Sequence, residues 1–300
     1  MSESDPTIAD PLLRSFLLGS TRRRVASVLI GVAALVAAIL ALLWNRETFD
    51  AALAALSWAD PRRATELLAG TLGQLAVSGL VFWWLYRRFA AVPVAEVSAV
   101  IAAANAANFL PLRPGLVGRI AYLRARHGVS LGVSARVTLE AAAISASAVL
   151  FFVLFLPLAD RSGLPGWSAF LAFGLSSTFA TVSPMLRPYA IASIGRLVEL
   201  GLLTWRYLLA FALIGKEIDL DAAIAFACIA SAASMIPLVP NGMGVREWAI
   251  GLLSPVIAGH TLQEGIAAEL VNRGAELVAS VPVGALAAAW LSRRPAPVSP

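Results

Sequence analysis

Apolar runs long enough to cross a bilayer recur along this chain. Val25–Trp44 holds 20 residues without a charged side chain, the length at which a helix covers the roughly 30 Å of hydrocarbon in a membrane. Lipid offers the backbone no hydrogen-bond partners, so such a run must satisfy its own. The rest of the composition agrees. The 300 residues are 59% hydrophobic and 14% charged, against about 45–50% and 25% in an ordinary soluble domain. A soluble fold of this size would have too little polar surface to cover itself. That excludes most cytosolic enzymes, disordered chains and disulfide-stapled secreted modules. The single cysteine, Cys228, excludes an internal disulfide and a multi-cysteine metal site.

The basic residues sketch a topology. Of 23, only Lys216 is lysine. The arginines stand in short clusters beside apolar runs, which fits cytoplasmic anchoring and not nucleic-acid binding. Arg22, Arg23 and Arg24 precede Val25–Trp44 and make residues 1–24 a cytoplasmic segment. Leu67–Tyr86 forms a second span, closed by Trp83, Trp84, Arg87 and Arg88. Val133–Leu158, Trp167–Leu186, Tyr189–Ile214 and Ile266–Leu291 complete six crossings, and Arg293 and Arg294 keep the 292–300 tail inside. Two segments behave differently. Residues 94–126 are short, rich in small residues, interrupted at Pro111-Leu-Arg-Pro-Gly115, and bounded by arginines on both flanks. Residues 222–258 are interrupted at Pro237-Leu-Val-Pro-Asn-Gly-Met-Gly244. Both read as re-entrant hairpins, whose irregular backbone is tolerated where protein or water surrounds it. The expected fold is a single all-α integral membrane domain over 1–300, with six transmembrane helices and two opposed re-entrant hairpins.

The hairpins also resemble each other. Pro111-Leu-Arg-Pro-Gly-Leu-Val-Gly-Arg119 sets against Pro237-Leu-Val-Pro-Asn-Gly-Met-Gly-Val-Arg246, and downstream His127 precedes Glu140 by 13 residues as His260 precedes Arg273 by 13. With mouths on opposite sides, the two units suggest an inverted repeat, whose substrate site lies where broken helices meet near the midplane. Asn108-Phe-Leu-Pro111-Leu-Arg113-Pro-Gly115 with Arg119, and Pro237-x-x-Pro240-x-Gly242-x-Gly244-Val-Arg246-Glu247 with Arg273, resemble the two signatures of the lysylphosphatidylglycerol synthase transmembrane family, the flippase-like domain. Glu140 is followed here by Ala141, where members often carry a Glu-Arg pair. The soluble aminoacyl-transferase domain of the namesake enzymes does not follow within these 300 residues. The resemblance therefore implies lipid translocation and not lipid aminoacylation.

Charges inside the apolar runs carry the chemistry. Arg196, Glu199 and Arg206 lie in the fifth span, Glu269, Arg273 and Glu276 in the last, and Arg136 and Glu140 in the third. An ion at mid-bilayer costs about 2.5–3.5 kcal/mol on insertion scales, so these groups must pair or face water. Arg136–Glu140 and Glu269–Arg273 sit i,i+4, and Arg196–Glu199 and Arg273–Glu276 sit i,i+3, spacings that share a helix face. Two readings stay open: structural ion pairs, or the lining of a headgroup groove. The groove would use Asn105, Asn108, Arg113, Arg119, Glu140, Arg196, Glu199, Asn241, Arg246, Glu247, Glu269, Arg273 and Glu276. Arginine suits phosphate because its planar fork donates two hydrogen bonds at once. No P-loop, zinc-protease helix or Gly-x-Ser-x-Gly elbow occurs, so neither enzyme chemistry nor a cofactor is expected. The expected function is a flippase of the bacterial cytoplasmic membrane, with both termini inside, moving an anionic, aminoacylated or glycosylated lipid between leaflets. The alternative is a non-catalytic membrane partner of a separate lipid synthase or glycosyltransferase in a polyprenyl-sugar or hopanoid pathway.

Overall fold

The computed structural model of the chain describes residues 60–109, 114–236 and 240–294. The expected first span Val25–Trp44, the cytoplasmic segment 1–24, Arg113 and most of the tail lie outside the described residues. Among the described residues the fold is all helical, without strands: α1 (Pro61–Tyr86), α2 (Val94–Ala107), α3 (Pro114–His127), α4 (Leu131–Arg161), α5 (Ser168–Ala180), α6 (Arg187–Leu213), α7 (Leu220–Met235), a 3₁₀ turn (Pro240–Gly242), α8 (Val245–Ile257) and α9 (Leu262–Ser292).

Three of these helices, α1, α4 and α9, are long and apolar enough to cross a membrane. The 27-residue α6 has the length but carries Arg187, Arg196, Glu199 and Arg206. Where a crossing was expected over Trp167–Leu186, α5 stops after 13 residues, roughly 20 Å of helix. Turns fill the segment from Thr181 to Leu186, around Pro184, which has no N–H to extend the helix. The helix starts are written in the sequence. Asp60 and Asp219 accept hydrogen bonds from the Arg62 and Ala222 amides, Ser130 caps α4, and Thr261 with Glu264 forms a full capping box on α9.

The exterior is as apolar as the core. Phe179, Leu286 and Val256 are 75%, 71% and 83% exposed, whereas Arg206, Glu247 and Glu269 are almost wholly buried. This inversion of the soluble pattern fits a membrane protein, in which lipid meets the outer face and polar groups gather within.

The helices repeat. Lengths of 26, 14, 14 and 31 residues in α1–α4 are followed by 27, 16, 13 and 31 in α6–α9. Packing repeats as well. Exchanging α1 with α6, α2 with α7, α3 with α8 and α4 with α9 maps the helix contacts onto themselves: α2 on α9 answers α7 on α4, α1 on α4 answers α6 on α9, and α1 on α6 answers itself. In each half two short helices pack against each other, α2 on α3 and α7 on α8. The matched N-caps Ser130 and Thr261 put the two 31-residue helices in register. In that register Thr138 holds the position of Glu269, Ala142 that of Arg273 and Ser145 that of Glu276. The histidine spacing, which set Glu140 against Arg273, is two residues out.

Candidate functional site: a charged cavity between the two halves

The chain between α7 and α8 leaves helical geometry at three consecutive-but-one positions. Asn241 (φ 48°), Gly242 (φ 69°) and Gly244 (φ 78°) all have left-handed backbone, a region open to glycine and tolerated by asparagine. This break, the end of α2, and α1, α4, α6, α7, α8 and α9 line a partly open cavity of about 380 Å³, within the usual range for small-molecule sites. Thr71, Gln74, Ser78 and Phe82 line it from α1, Thr138, Ala142 and Ser145 from α4, and Ser231 and Ser234 from α7. Its charged lining is Arg196, Glu199, Arg206, Arg246 and Glu276. Several wall hydroxyls give their protons to the helix backbone: Thr71 to Leu67, Thr138 to Ser134, Ser145 to Ala141 and Ser234 to Ala230. Each oxygen keeps lone pairs with which to accept, and that of Thr138 already takes a hydrogen bond from Arg119 Nη2 at 2.6 Å.

One wall is an ion network. Glu276 accepts from Arg206 Nη2 at 2.9 Å, Arg273 Nη1 at 3.0 Å and Arg246 Nη1 at 3.2 Å. Glu269 takes the Tyr207 hydroxyl at 2.6 Å and lies 2.8 Å from Arg246 Nε, a close but off-axis ion pair. Arg273 Nε reaches Glu247 at 3.4 Å, and its Nη2 donates to the Asn241 carbonyl, tying the network to the break. Arg206 is also held by Gln74 Oε1 at 2.5 Å and Asn272 Oδ1 at 2.6 Å. Three arginines and three glutamates are formally neutral together, the arrangement a low-dielectric interior requires.

All four ion pairs expected from helical spacing form: Arg136–Glu140, Arg196–Glu199, Glu269–Arg273 and Arg273–Glu276. The candidate residues nonetheless divide. Asn105, Arg196, Glu199, Asn241, Arg246 and Glu276 line the cavity, and Glu247, Glu269 and Arg273 brace it from behind. Glu140 lies apart, bound by Arg88, Arg136 and the Tyr189 hydroxyl. Asn108 is not in the wall; it ends α2 beside Gly115, where an added Cβ would come within 2.6 Å of its Oδ1. Arg113 is outside the described residues. Gln74, Thr138, Phe82 and the serines lie outside the sequence expectation; polarity within apolar runs marks all but Phe82, which nothing in the sequence sets apart. Arg88, legible as an exit signal, is a partner of Glu140.

Arg119 stands alone. Of the four buried arginines among the described residues, Arg206, Arg246 and Arg273 pair with carboxylates. Arg119, 7% exposed, has only the Thr138 hydroxyl at 2.6 Å and the Phe82 ring, 4.5 Å from its guanidinium carbon, and its Nε has no partner. Arg196 lies 5.6 Å from the same ring. In the cavity lining Glu199 Oε1, Arg196 Nε, Arg206 Nε and the Nε and Nη2 of Arg246 are likewise buried without a hydrogen bond.

A separate cluster joins the start of α2 to the ends of α3 and α9. Glu96, at the start of α2, accepts from His127 at 2.7 Å, Arg126 at 3.2 Å and the Tyr122 hydroxyl at 3.3 Å, with Arg294 at 3.6 Å. Burial raises the Glu96 carboxyl, but His127 and Arg126 outweigh it and hold the group below its ordinary value. Among the described residues no group of three His, Cys, Asp or Glu side chains is placed to hold a metal ion. Set against known proteins, the chain matches no family model, no curated protein and no solved structure.

Proposed function

We propose that the chain is a lipid translocase of the bacterial cytoplasmic membrane, with six crossings and two re-entrant hairpins opposed as an inverted repeat. The observation that carries this reading is the polar, charge-lined cavity of about 380 Å³ inside a helical protein whose outer face is apolar. The cavity shelters a headgroup while the acyl chains stay in lipid. Its wall combines arginines, which suit an anionic phosphate, with hydroxyl oxygens and Glu199, which accept from hydroxyl or ammonium groups. That mixture favours an anionic lipid whose headgroup also donates, such as a glycerol, sugar or aminoacyl ester. The repeated order of helix lengths and the exchange-symmetric packing support two equivalent gates around one site, the arrangement of inverted-repeat transporters. The resemblance to the lysylphosphatidylglycerol synthase transmembrane family points the same way.

The test is lipid flipping by the purified full chain in proteoliposomes. Fluorescent phosphatidylglycerol is reduced in the outer leaflet by an impermeant reagent. Wild type should carry quenching beyond the half expected of a sealed bilayer, and Arg273→Ala should not, because Arg273 fixes Asn241 and Glu276. Arg124→Ala, in the arginine-rich end of α3, should retain activity. Equal flipping by the two variants at matched incorporation would sink the cavity reading.

A further inference from the structure

The register set by the two N-caps exposes a substitution between the halves. In the second half the arginine that follows the break, Arg246, meets Glu269, eight residues past the Thr261 cap. In the first half the arginine that follows the break, Arg119, meets Thr138, eight residues past the Ser130 cap. Corresponding helices bring together an arginine past the interruption, the sixth residue of α3 or the second of α8, and the eighth residue of the long helix that follows, but the carboxylate of one half is a hydroxyl in the other. Ser145 likewise replaces Glu276 and Ala142 replaces Arg273, and all three replacements line the cavity. At these three positions the first half carries neither the two acids nor the arginine of the second, while Arg119 is present.

A buried guanidinium without a counter-ion is costly to keep. Arg119 has a neutral hydroxyl, an aromatic face and an unused Nε. Phe82 and Thr138, its two contacts, both belong to the cavity wall, and the Arg196 guanidinium carbon lies 5.6 Å from the same ring. Glu199 neutralises Arg196, so among the described residues this end of the cavity carries one uncompensated positive charge. Arg119 itself is not in the cavity lining; Thr138 and the ring, which are, are weaker partners for its guanidinium than an anion.

We propose that Arg119, with Thr138, Phe82 and Arg196, forms the anion subsite of the cavity and receives the phosphate of the ligand in the place that a glutamate fills in the other half. The proposal deepens the translocase reading and rests on it for one point, that the phosphate belongs to a lipid. The chemistry is a phosphate oxyanion held by a planar fork donor; the remaining headgroup then faces Glu199 and the hydroxyl oxygens of α4 and α7.

The experiment uses the purified full chain in neutral detergent, with binding followed by tryptophan fluorescence and by the shift in unfolding midpoint. Three probes separate the sources: dioctanoyl phosphatidylglycerol, dioctanoylglycerol with the same tails and no phosphate, and inorganic phosphate. Arg119→Gln should weaken phosphatidylglycerol binding roughly 10- to 100-fold, the loss of a charge-assisted pair. Arg119→Lys should fall between. Thr138→Glu should abolish binding to a similar degree while leaving the unfolding midpoint at or above wild type, because it rebuilds the Arg246–Glu269 pair in the first half. Dioctanoylglycerol should not distinguish the variants. Wild-type affinity for phosphatidylglycerol in folded Arg119→Gln or Thr138→Glu overturns the subsite, as does the absence of measurable binding of either phosphate probe to wild type. Inorganic phosphate that binds as tightly as the lipid, with the same Arg119 dependence, upholds the subsite and assigns it to a free anion, against the lipid reading. Conversely, flipping at the wild-type rate by Arg119→Gln in proteoliposomes overturns the subsite and leaves the translocase standing.

Discussion

Glu276 is the keystone of the ion network, and its neutralisation has a calculable consequence. Three guanidinium groups converge on its carboxylate at 2.9, 3.0 and 3.2 Å. Glu276→Gln keeps the shape and one acceptor oxygen but removes the charge, leaving Arg206, Arg246 and Arg273 to share Glu247 and Glu269. Removing one partner of a buried pair costs about 3–5 kcal/mol, because the other charge stays behind. The Glu276 side chain is 13% exposed on its cavity side, whereas that of Arg206 is 1% exposed, so water at the cavity wall offsets part of the loss. The lower end of the range, about 3 kcal/mol, is the expected cost, roughly 150-fold in the ratio of folded to unfolded protein. The assay is reversible unfolding in mixed micelles. Arg206→Met made together with Glu276→Gln removes one charge of each sign, so the double variant should be more stable than the sum of the single costs predicts, by at least about 1 kcal/mol. Additive costs, or a single-variant cost below about 1 kcal/mol, would refute the idea that the network is a closed, charge-balanced unit.

Three further outcomes follow from the packing and the local chemistry. A Cβ added at Gly284 would come within 2.9 Å of the Ala102 carbonyl, where α9 crosses α2, whereas one at Gly274 meets nothing within 4 Å. Gly284→Ala should therefore cost about 1–3 kcal/mol, while Gly274→Ala on the same helix should be neutral or stabilising by up to about 1 kcal/mol, both read as unfolding free energy. Asn241 has left-handed backbone; Asn241→Gly should be tolerated, and Asn241→Val should cost about 1–2 kcal/mol. Because the Glu96 carboxyl is held below its ordinary value in the folded chain, it contributes stability above the ordinary carboxylate range and loses it as pH falls through the lowered value. The unfolding midpoint should drop between neutral pH and about pH 3, and Glu96→Gln should flatten that drop.

The sequence announces its helices and its local ion pairs because both depend on neighbours a few residues apart. Caps such as Asp60 and the Thr261–Glu264 box, and the four pairs at i,i+3 or i,i+4, need no knowledge of the rest of the fold. What the sequence conceals is reach. Arg206 finds Gln74 across 132 positions and Glu276 across 70, and neither separation leaves a local mark. The extent of α5 was concealed for another reason: hydropathy registers that Trp167–Leu186 is apolar but not that the turns around Pro184 end the helix early.

The relation between the halves shows the same limit and suggests what evolved within it. Proline and glycine mark both interruptions of the apolar sequence, but histidines are poor guides to register because they contact different groups, His127 meeting Glu96 and His260 the Glu217 carbonyl. Only the N-caps align the long helices, and only that alignment sets Thr138 against Glu269. A structural ion pair and a ligand subsite then differ by one carboxylate at one register position. The halves share a frame in which an arginine past the break faces the eighth residue of the following helix. Where that residue is an acid, the arginine is ion-paired within the half. Where it is a hydroxyl, the charge remains to be met from the cavity. Thr138→Glu is therefore the variant that turns the second kind of half into the first, and its effect on anion binding at preserved stability decides whether the asymmetry is functional.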